Sequence, residues 1–398
     1  MAVVVTAVLI GLLTPIRASA EISDGWDYRA LTLGGTYKTV VGQFGGDLAS
    51  DILFYGPGTA ADSLWIGNAD DRGTTGSNGF TKINLSIGGD FIPVVGDFGG
   101  DDYDDILFYG IGSAVDSLWI AVDTASYFDK TRKVSVGGAY QPKVLHDYRA
   151  VGAKDDILFL GPGTAKDYYW HFADRLTAPH LGPVTYTSRE LNVNGTYQLV
   201  IGDYSGDRIE DVVLYQPGTA SDYKWVSSAA GAFSQSGLTI TGFYKPVTIF
   251  GEVRDSILWW GNGSASPRFW RSTGPTFQSV PIDPVDVAAT VVSAGLEGAI
   301  IAVPGALPDA RDTFFKESAS SDFSALAGEI HDQTTARPLV GDFDNDDYID
   351  VVWYGPDTQR DELWFSVSSS PGVGGLSGKS AAGAGHSTGV KATPIAPR

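Results

Sequence analysis

One phrase recurs along this chain and constrains its fold more than any other feature. It first occupies residues 51–65, DILFYGPGTAADSLW, opening with an aspartate and closing with a tryptophan. Related copies occupy residues 105–119, 156–170, 211–225 and 350–364, and a degenerate copy occupies 255–270. The copies recur at roughly 50 residues, a period typical of stacked supersecondary units. The last interval is about two periods long, so we predict a degraded unit carried by residues 299–305 and 312–315, which makes seven units.

Each unit is predicted to contain four short strands. In the first unit they cover residues 37–44, 51–55, 63–67 and 80–87, which are rich in β-branched and aromatic residues and bounded by Gly, Pro and Asp. No segment of helical length shows a period of about 3.6 residues. Four strands per repeat predict an all-β fold, a seven-bladed β-propeller. A solenoid is the competing architecture, but it would need capping repeats at its ends.

The two ends of the chain predict how the ring closes. The last unit has strands at residues 338–343, 350–354 and 362–367, followed by a segment without a strand pattern. Residues 28–35 resemble residues 82–89, which form the fourth strand of the first unit and its exit. We therefore predict that the N-terminal strand completes the last blade, which removes exposed sheet edges. The predicted propeller covers residues 21–367, and residues 368–398, rich in Gly, Ala and Ser, form a flexible tail.

Composition limits the partners and suggests an exported protein. The chain has 27 Lys and Arg against 47 Asp and Glu, a formal net charge of −20, which argues against nucleic acid and anionic membranes. It has no cysteine, which excludes disulfides and thiolate chemistry. Residues 3–13 are apolar and Ala18-Ser19-Ala20 precedes Glu21, so we predict a signal peptide at residues 1–20. A buried core strand is the alternative. We expect a secreted monomer without a membrane span.

The clearest chemistry lies between the first two strands of the last unit. The loop DFDNDDYID places Asp342, Asp344, Asp346 and Asp350 at positions 1, 3, 5 and 9. Calcium takes six to eight oxygen ligands in a flexible cage, and acids at alternate positions of a tight loop can converge on one centre. Position 6, usually glycine, is Asp347, so we expect a strained turn. The alternative is a solvated turn, in which Asp and Asn are common.

Two further loops keep part of this pattern. The second unit has Asp97, Asp101 and Asp105, with Gly99 at position 3. The fourth unit has Asp203, Ser205, Asp207 and Asp211. We predict Ca²⁺ in these loops as well. The first unit keeps Asp47 and Asp51 but has Gln43 and Gly45 in place of two acids, and units three, five and six lack the pattern.

The loop and the phrase that follows it resemble the FG-GAP or VCBS repeat of integrin α-subunits and many secreted bacterial proteins. The resemblance spans residues 26–367 and is strongest in units one, two, four and seven. It implies a seven-bladed propeller with calcium in some loops and a role in binding glycans or proteins. We therefore expect a non-catalytic binding or adhesion module for carbohydrate or protein surfaces. A propeller-fold glycoside hydrolase or lyase is the alternative.

Three other recurring features have structural interpretations that we prefer. The tryptophan closing each phrase, from Trp65 to Trp364, is predicted to pack between blades rather than to stack on sugars. The aspartates before the third strands, such as Asp62, are predicted to cap turns through backbone N–H groups. The GPGT turns are expected at a rim, where they could also serve as equivalent ligand sites. The five histidines are scattered and form no nucleophile motif.

Overall fold

The computed structural model describes the chain from residue 26 to residue 366 with internal gaps. The gaps are residues 46–47, 69–78, 123–126, 151, 174–183, 262–265, 283–289, 294–297, 303–312, 318–322, 327–335, 347 and 357–360. The predicted signal peptide and C-terminal tail therefore lie outside the described residues. Within the described ranges there is no helix, and so none that is long and apolar enough to cross a membrane.

Every strand belongs to one of seven four-stranded antiparallel sheets, and each sheet uses strands that are close in sequence except the one that includes β1. The first three sheets consist of β2 (Lys38–Gly42), β3 (Asp51–Tyr55), β4 (Asp62–Gly67) and β5 (Phe80–Leu85); β6 (Ile92–Gly96), β7 (Asp105–Tyr109), β8 (Asp116–Ala121) and β9 (Phe128–Val134); and β10 (Gln141–Leu145), β11 (Asp156–Leu160), β12 (Asp167–His171) and β13 (Thr187–Leu191). The next three consist of β14 (Gln198–Gly202), β15 (Asp211–Tyr215), β16 (Asp222–Val226) and β17 (Ser234–Leu238); β18 (Tyr244–Ile249), β19 (Ser256–Gly261), β20 (Arg268–Ser272) and β21 (Phe277–Pro281); and β22 (Thr290–Ser293), β23 (Gly298–Ala302), β24 (Thr313–Glu317) and β25 (Phe323–Leu326). The last combines β26 (Arg337–Gly341), β27 (Asp350–Tyr354) and β28 (Asp361–Ser366) with β1 (Trp26–Leu31).

These sheets are the blades of a β-propeller, and we number them in the order just given. The innermost strands of consecutive blades lie side by side from β26 through β2, β6, β10, β14 and β18 to β22. The structure describes side-chain packing in every blade except blade six, for which it describes only the backbone pairing. The degraded unit predicted at residues 299–305 and 312–315 overlaps β23 and β24, so strands are confirmed at 299–302 and 313–315, whereas 303–305 and 312 lie outside the described residues.

Each repeated phrase forms the buried middle of a blade. Strand β3 is buried at all five positions because both faces of the sheet pack against neighbouring blades. Ile52 and Phe54 belong to the cluster shared with blade seven, whereas Leu53 and Tyr55 belong to the cluster shared with blade two. The outer strands are polar, and the first four residues of β13 and of β17 are exposed. The second strand is therefore a nearly continuous apolar run, without the alternation of apolar and polar residues that marks a strand with one exposed face.

The recurring tryptophans are structural, as predicted. Trp65, Trp119, Trp170, Trp225 and Trp364 are buried, and Trp270 is half-buried with its ring against Trp259 and Phe277. Their rings meet aromatic residues; Trp119, for example, lies 4.8 Å from Phe108 in an edge-on arrangement. Burial of such large rings accounts for much of the apolar contact inside each blade.

The N-terminal strand completes the last blade, as the sequence predicted. β1 pairs antiparallel with β28, with Tyr28 opposite Trp364 and Leu31 opposite Asp361. The Leu33 N–H donates to Asp361 Oδ2 at 2.9 Å. The Arg29 guanidinium lies 4.7 Å from the centre of the Phe365 ring. The first and last described strands are therefore hydrogen-bonded neighbours in one sheet.

Candidate metal centre

The acidic loops connect the first and second strands of the blades, and an aspartate at position 1 organises them. In blade two, Asp97 Oδ1 accepts from the backbone N–H groups of Gly100 and Asp101 at 2.5 and 3.2 Å, and Oδ2 accepts from Asp102 at 2.9 Å. Asp203 makes the same set of contacts in blade four, including Gly206 at 2.7 Å. The loops therefore fold around their own first carboxylate, as Asx turns do.

Position 6 of these loops has a left-handed backbone. Asp102 and Arg208 occupy it with φ of 68° and 69°. This conformation is unfavourable for residues with a Cβ and explains why glycine is usual there. Asp347, where we expected the strain in blade seven, lies outside the described residues.

Blade seven brings three of its four predicted ligands together. One carboxylate oxygen from each of Asp342, Asp344 and Asp350 lies within 4.8 Å of the other two, and Asp344 and Asp350 are buried. Asp350 also accepts from the Phe343 N–H at 2.8 Å and the Ser366 N–H at 2.9 Å. Asp346 is not part of this group and accepts from the Tyr348 N–H at 3.0 Å. This is the sole such convergence of acids in the described part of the chain.

In blade two, a buried carboxylate oxygen without a hydrogen-bond donor is the feature that favours a bound ligand. Asp105 is fully buried, and its Oδ1 accepts from the Ala121 N–H at 2.7 Å. Its Oδ2 is also buried and accepts no hydrogen bond from any described residue. A methyl group built on Gly99 would lie 3.4 Å from both Asp105 Oδ2 and Asp101 Oδ1. These two oxygens therefore border one small space at position 3 of the loop, where an unpaired buried carboxylate oxygen is unfavourable.

The electrostatics of both loops favour a cation. Burial, and then repulsion from Asp97 and Asp101, hold the pKa of Asp105 well above its usual range. Burial, and then the neighbouring Asp344, raise the pKa of Asp350 in the same direction. A bound divalent ion would reverse both effects because it offsets the repulsion and favours the ionised carboxylates. The residues present in blades two and seven thus fit a hard cation with oxygen ligands.

Blades three and four, unlike blade two, satisfy both oxygens of the equivalent strand aspartate from within the protein. In blade three, Asp156 Oδ2 accepts from the Tyr169 hydroxyl and lies 3.0 Å from His171 Nδ1. In blade four, Asp211 Oδ2 accepts from the Ser205 N–H at 2.7 Å, and burial raises its pKa to about 7. Neither the predicted ligands Asp203, Asp207 and Asp211 of blade four nor Asp97, Asp101 and Asp105 of blade two form a group of three within 4.8 Å, as those of blade seven do.

A second set of residues, mostly acids and not predicted from the sequence, ties the loop of one blade to the next blade at five junctions. The residue just before the second strand of one blade accepts a hydrogen bond from the backbone N–H at position 1 of the preceding loop. The pairs, acceptor first, are Asp104 with Gln43, Asp155 with Asp97, Glu210 with His146, Asp255 with Asp203 and Ser50 with Asp342. In every pair a backbone N–H···O bond runs the other way, and we call this arrangement the inter-blade latch.

The latch corrects the alignment of the fifth unit. The sequence pattern predicts Asp255 as the leading aspartate of that phrase. In the structure Ser256 pairs with Ile249 just as Asp51 pairs with Gly42, so Ser256 holds the leading position. Asp255 is instead the latch residue. The visible signal was the acidic residue directly before the leading aspartate at Asp104, Asp155 and Glu210.

We expect replacement of Asp255 by Ala to lower the free energy of unfolding by about 2–4 kcal/mol, because one buried and one partly buried N–H group lose their acceptor. Asp255 accepts from Asp203 at 2.8 Å and from Gly251 at 3.0 Å. Urea unfolding of Asp255→Ala and Asp255→Ser would measure the change, with the serine variant closer to wild type because Ser50 fills the same role. An Asp255→Ala stability within about 0.5 kcal/mol of wild type, the range of ordinary surface changes, would show that the latch contributes little.

The opposite rim is held by aspartate caps, as predicted. Asp62 Oδ1 accepts from the Gly56 N–H at 2.9 Å, and its Oδ2 accepts from the Ile87 N–H at 2.7 Å. Asp116, Asp167, Asp222 and Asp361 make the equivalent pairs of bonds. Each cap joins the turn after the second strand to the segment after the fourth strand. The tips of these turns, such as Gly58 and Thr59, are exposed.

Together the sheets and their order define a β-propeller of four-stranded blades. No protein-family model matches the chain, and no curated protein sequence matches it. Among solved structures, a crystal structure of a protein from Lactobacillus plantarum is similar, with 13% identity and a TM-score of 0.47 over 79% of this chain and 98% of that chain. A similarity of this size carries no argument about function. The resemblance to FG-GAP or VCBS repeats therefore stays a prediction.

Proposed function

We propose that this protein is a calcium-binding propeller of seven blades that serves as a non-catalytic binding module. The observation that carries the metal proposal is the convergence of Asp342, Asp344 and Asp350 in blade seven, two of them buried. Buried like charges at this distance are unfavourable without a compensating cation. Three carboxylates in a flexible loop match the oxygen ligands that calcium prefers.

Blade two supplies the second proposed site. Its ligands would be Asp97, Asp101 and Asp105, with the buried Asp105 Oδ2 facing the space beside Gly99. Because this loop lacks the acid at position 3, we propose that its affinity is lower than that of blade seven. For extracellular modules, dissociation constants of about 10⁻⁴–10⁻³ M are typical.

The ligand of the module, in this proposal, is a carbohydrate or a protein surface bound at the rim of GPGT turns. Exposed apolar side chains lie at this rim: Ile111 and Val115 in the turn of blade two, and Phe243 beside Gly218 of the blade-four turn. Repetition of one turn around a rim supports multivalent contact, in which several weak sites act together. Export through residues 1–20 belongs to the same proposal and rests on the sequence of that segment.

Calorimetric titration of residues 21–398 with calcium, followed by a glycan array in calcium and in chelator, tests this function. We expect saturable heat from calcium and array binding that requires it. Absence of calcium heat would overturn the metal proposal. An array that stays blank in calcium would exclude the carbohydrate ligands displayed and direct the search to protein partners.

A further inference from the structure

Lys224 is a buried lysine in the middle of blade four. It lies on β16 opposite Val213, two residues beyond the leading aspartate Asp211. Its exposed fraction is 1%. A lysine is rarely buried to this extent unless its charge is compensated.

The same register is apolar in the blades proposed to bind calcium. The residue opposite the equivalent strand position is Leu118 in blade two and Leu363 in blade seven. In blade three it is Tyr169, whose hydroxyl donates to the leading aspartate Asp156. A side chain at this register can therefore reach the carboxylate that would otherwise face a metal ion.

Hydrogen bonds place the Lys224 ammonium beside the acidic loop of its own blade. Lys224 Nζ donates to the Gly274 carbonyl at 2.6 Å and lies 5.3 Å from the centre of the Phe277 ring. The Gly274 N–H donates to Ser272 Oγ, and Ser272 Oγ in turn donates to the carbonyl of Tyr204 at position 2 of the loop. The Lys224 ammonium therefore contacts residues 272–274, the segment of blade five that is hydrogen-bonded to the acidic loop of blade four.

The charges around the leading aspartates differ accordingly. In blade four, Lys224 is a charged neighbour of both Asp211 and Asp203. The charged neighbours that act most strongly on Asp105 and Asp350 are other aspartates of their own loops. Basic residues from the next blade do not explain the contrast, because Lys154 covers Gly100 of blade two just as Arg254 covers Gly206 of blade four.

We infer that Lys224 supplies blade four with a built-in positive charge in place of a metal ion, so that calcium occupies blades two and seven but not blade four. This inference rests on the proposed function. It revises the prediction that Asp203, Ser205, Asp207 and Asp211 hold calcium. A loop with all the sequence signs of a site is, in this protein, neutralised by a residue outside the loop.

The test is the number of calcium ions bound per chain, measured by equilibrium dialysis with metal analysis. For the full chain, we expect Asp105→Asn and Asp350→Asn each to remove one ion and Asp211→Asn to remove none. Lys224→Leu, which installs the residue found in blades two and seven, should add one ion. The double variant Lys224→Leu/Asp211→Asn should lose that added ion.

The outcomes separate the inference from the function on which it rests. If wild type binds no calcium, the proposed function fails. If wild type binds calcium and Asp211→Asn removes an ion, blade four is a site and the inference is wrong. A folded Lys224→Leu variant with unchanged stoichiometry also overturns it. If Lys224→Leu does not fold, Lys224→Met keeps the side-chain length without the charge, and the Asp211→Asn result decides independently.

Discussion

Removing strand β1 should abolish the cooperative folding of the whole propeller. A variant that starts at Thr32 loses the entire pairing of Trp26–Leu31 with β28. It also exposes the apolar edge of blade seven, where Phe365 and Trp364 are 1% and 3% exposed in the intact chain. We expect a loss of about 5–10 kcal/mol, comparable with the total stability of many domains, together with aggregation through the open edge.

Adding the missing strand as a peptide should restore the fold. A synthetic peptide of residues 24–31 would supply Tyr28, Arg29 and Leu31, while Leu33 remains in the truncated chain to donate to Asp361. Circular dichroism and size-exclusion chromatography of the truncated chain, with and without peptide, measure the rescue. A peptide carrying Leu31→Asp is the matched control, because it keeps the length but places a charge in a core cluster. An unchanged melting temperature in the truncated chain would show that β1 does not close the blade.

Asp350→Asn should remove most of the stability that calcium provides. The amide keeps the size of the side chain and one acceptor oxygen but lacks the charge needed to hold a divalent ion. With free calcium at ~10–100 times the dissociation constant, each site contributes about 1.4–2.7 kcal/mol by linkage. We expect the calcium-dependent increment in unfolding free energy to fall by that amount, measured by urea unfolding with and without calcium.

Asp156→Asn is the control for this experiment. Asp156 holds the same position on the second strand of blade three, but its partners are Tyr169 and His171 rather than other acids of the loop. The control variant should lose stability equally with and without calcium. An increment that survives in Asp350→Asn would contradict the assignment of blade seven.

The variant Asp350→Asn should also change how the free energy of unfolding depends on pH. Burial raises the pKa of Asp350 in the folded state above the unfolded value of about 3.9. In calcium-free protein the folded state therefore binds its proton more tightly, so this group's contribution to stability falls as pH rises through that window. Calcium binds the ionised form, so the difference between calcium and calcium-free samples should grow from about pH 4 to neutrality. Asp350→Asn should flatten that growth.

Much of this architecture could be predicted because each structural role uses the same residue in every unit. The leading aspartate, the closing tryptophan and the cap aspartate recur at fixed spacing, and each has one physical reason to be there. The closure by β1 could be predicted as well, since residues 28–35 look like a fourth strand that has no sheet of its own.

The candidate site was less predictable because its properties depend on neighbours from other strands and blades. The latch acids precede the leading aspartate directly, and adjacent acids in a loop look like a single solvated cluster in sequence. The fifth unit has Ser256 at the leading position and Asp255 directly before it. The sequence pattern therefore aligns Asp255, wrongly, with the leading aspartates of the other units. Lys224 gave no signal at all, because its effect on Asp211 depends on pairing between two strands.

The inter-blade latch makes this single chain the covalent counterpart of a cyclic oligomer. At each latch the loop of one blade donates its first N–H, and the following blade contributes the accepting side chain. Blades one to four therefore each have a donor side and an acceptor side, like a protomer with a heterologous interface. Duplication of one of these four repeats in frame would leave the two sides matched at the new junction, and the angle between blades would decide whether the enlarged ring could close.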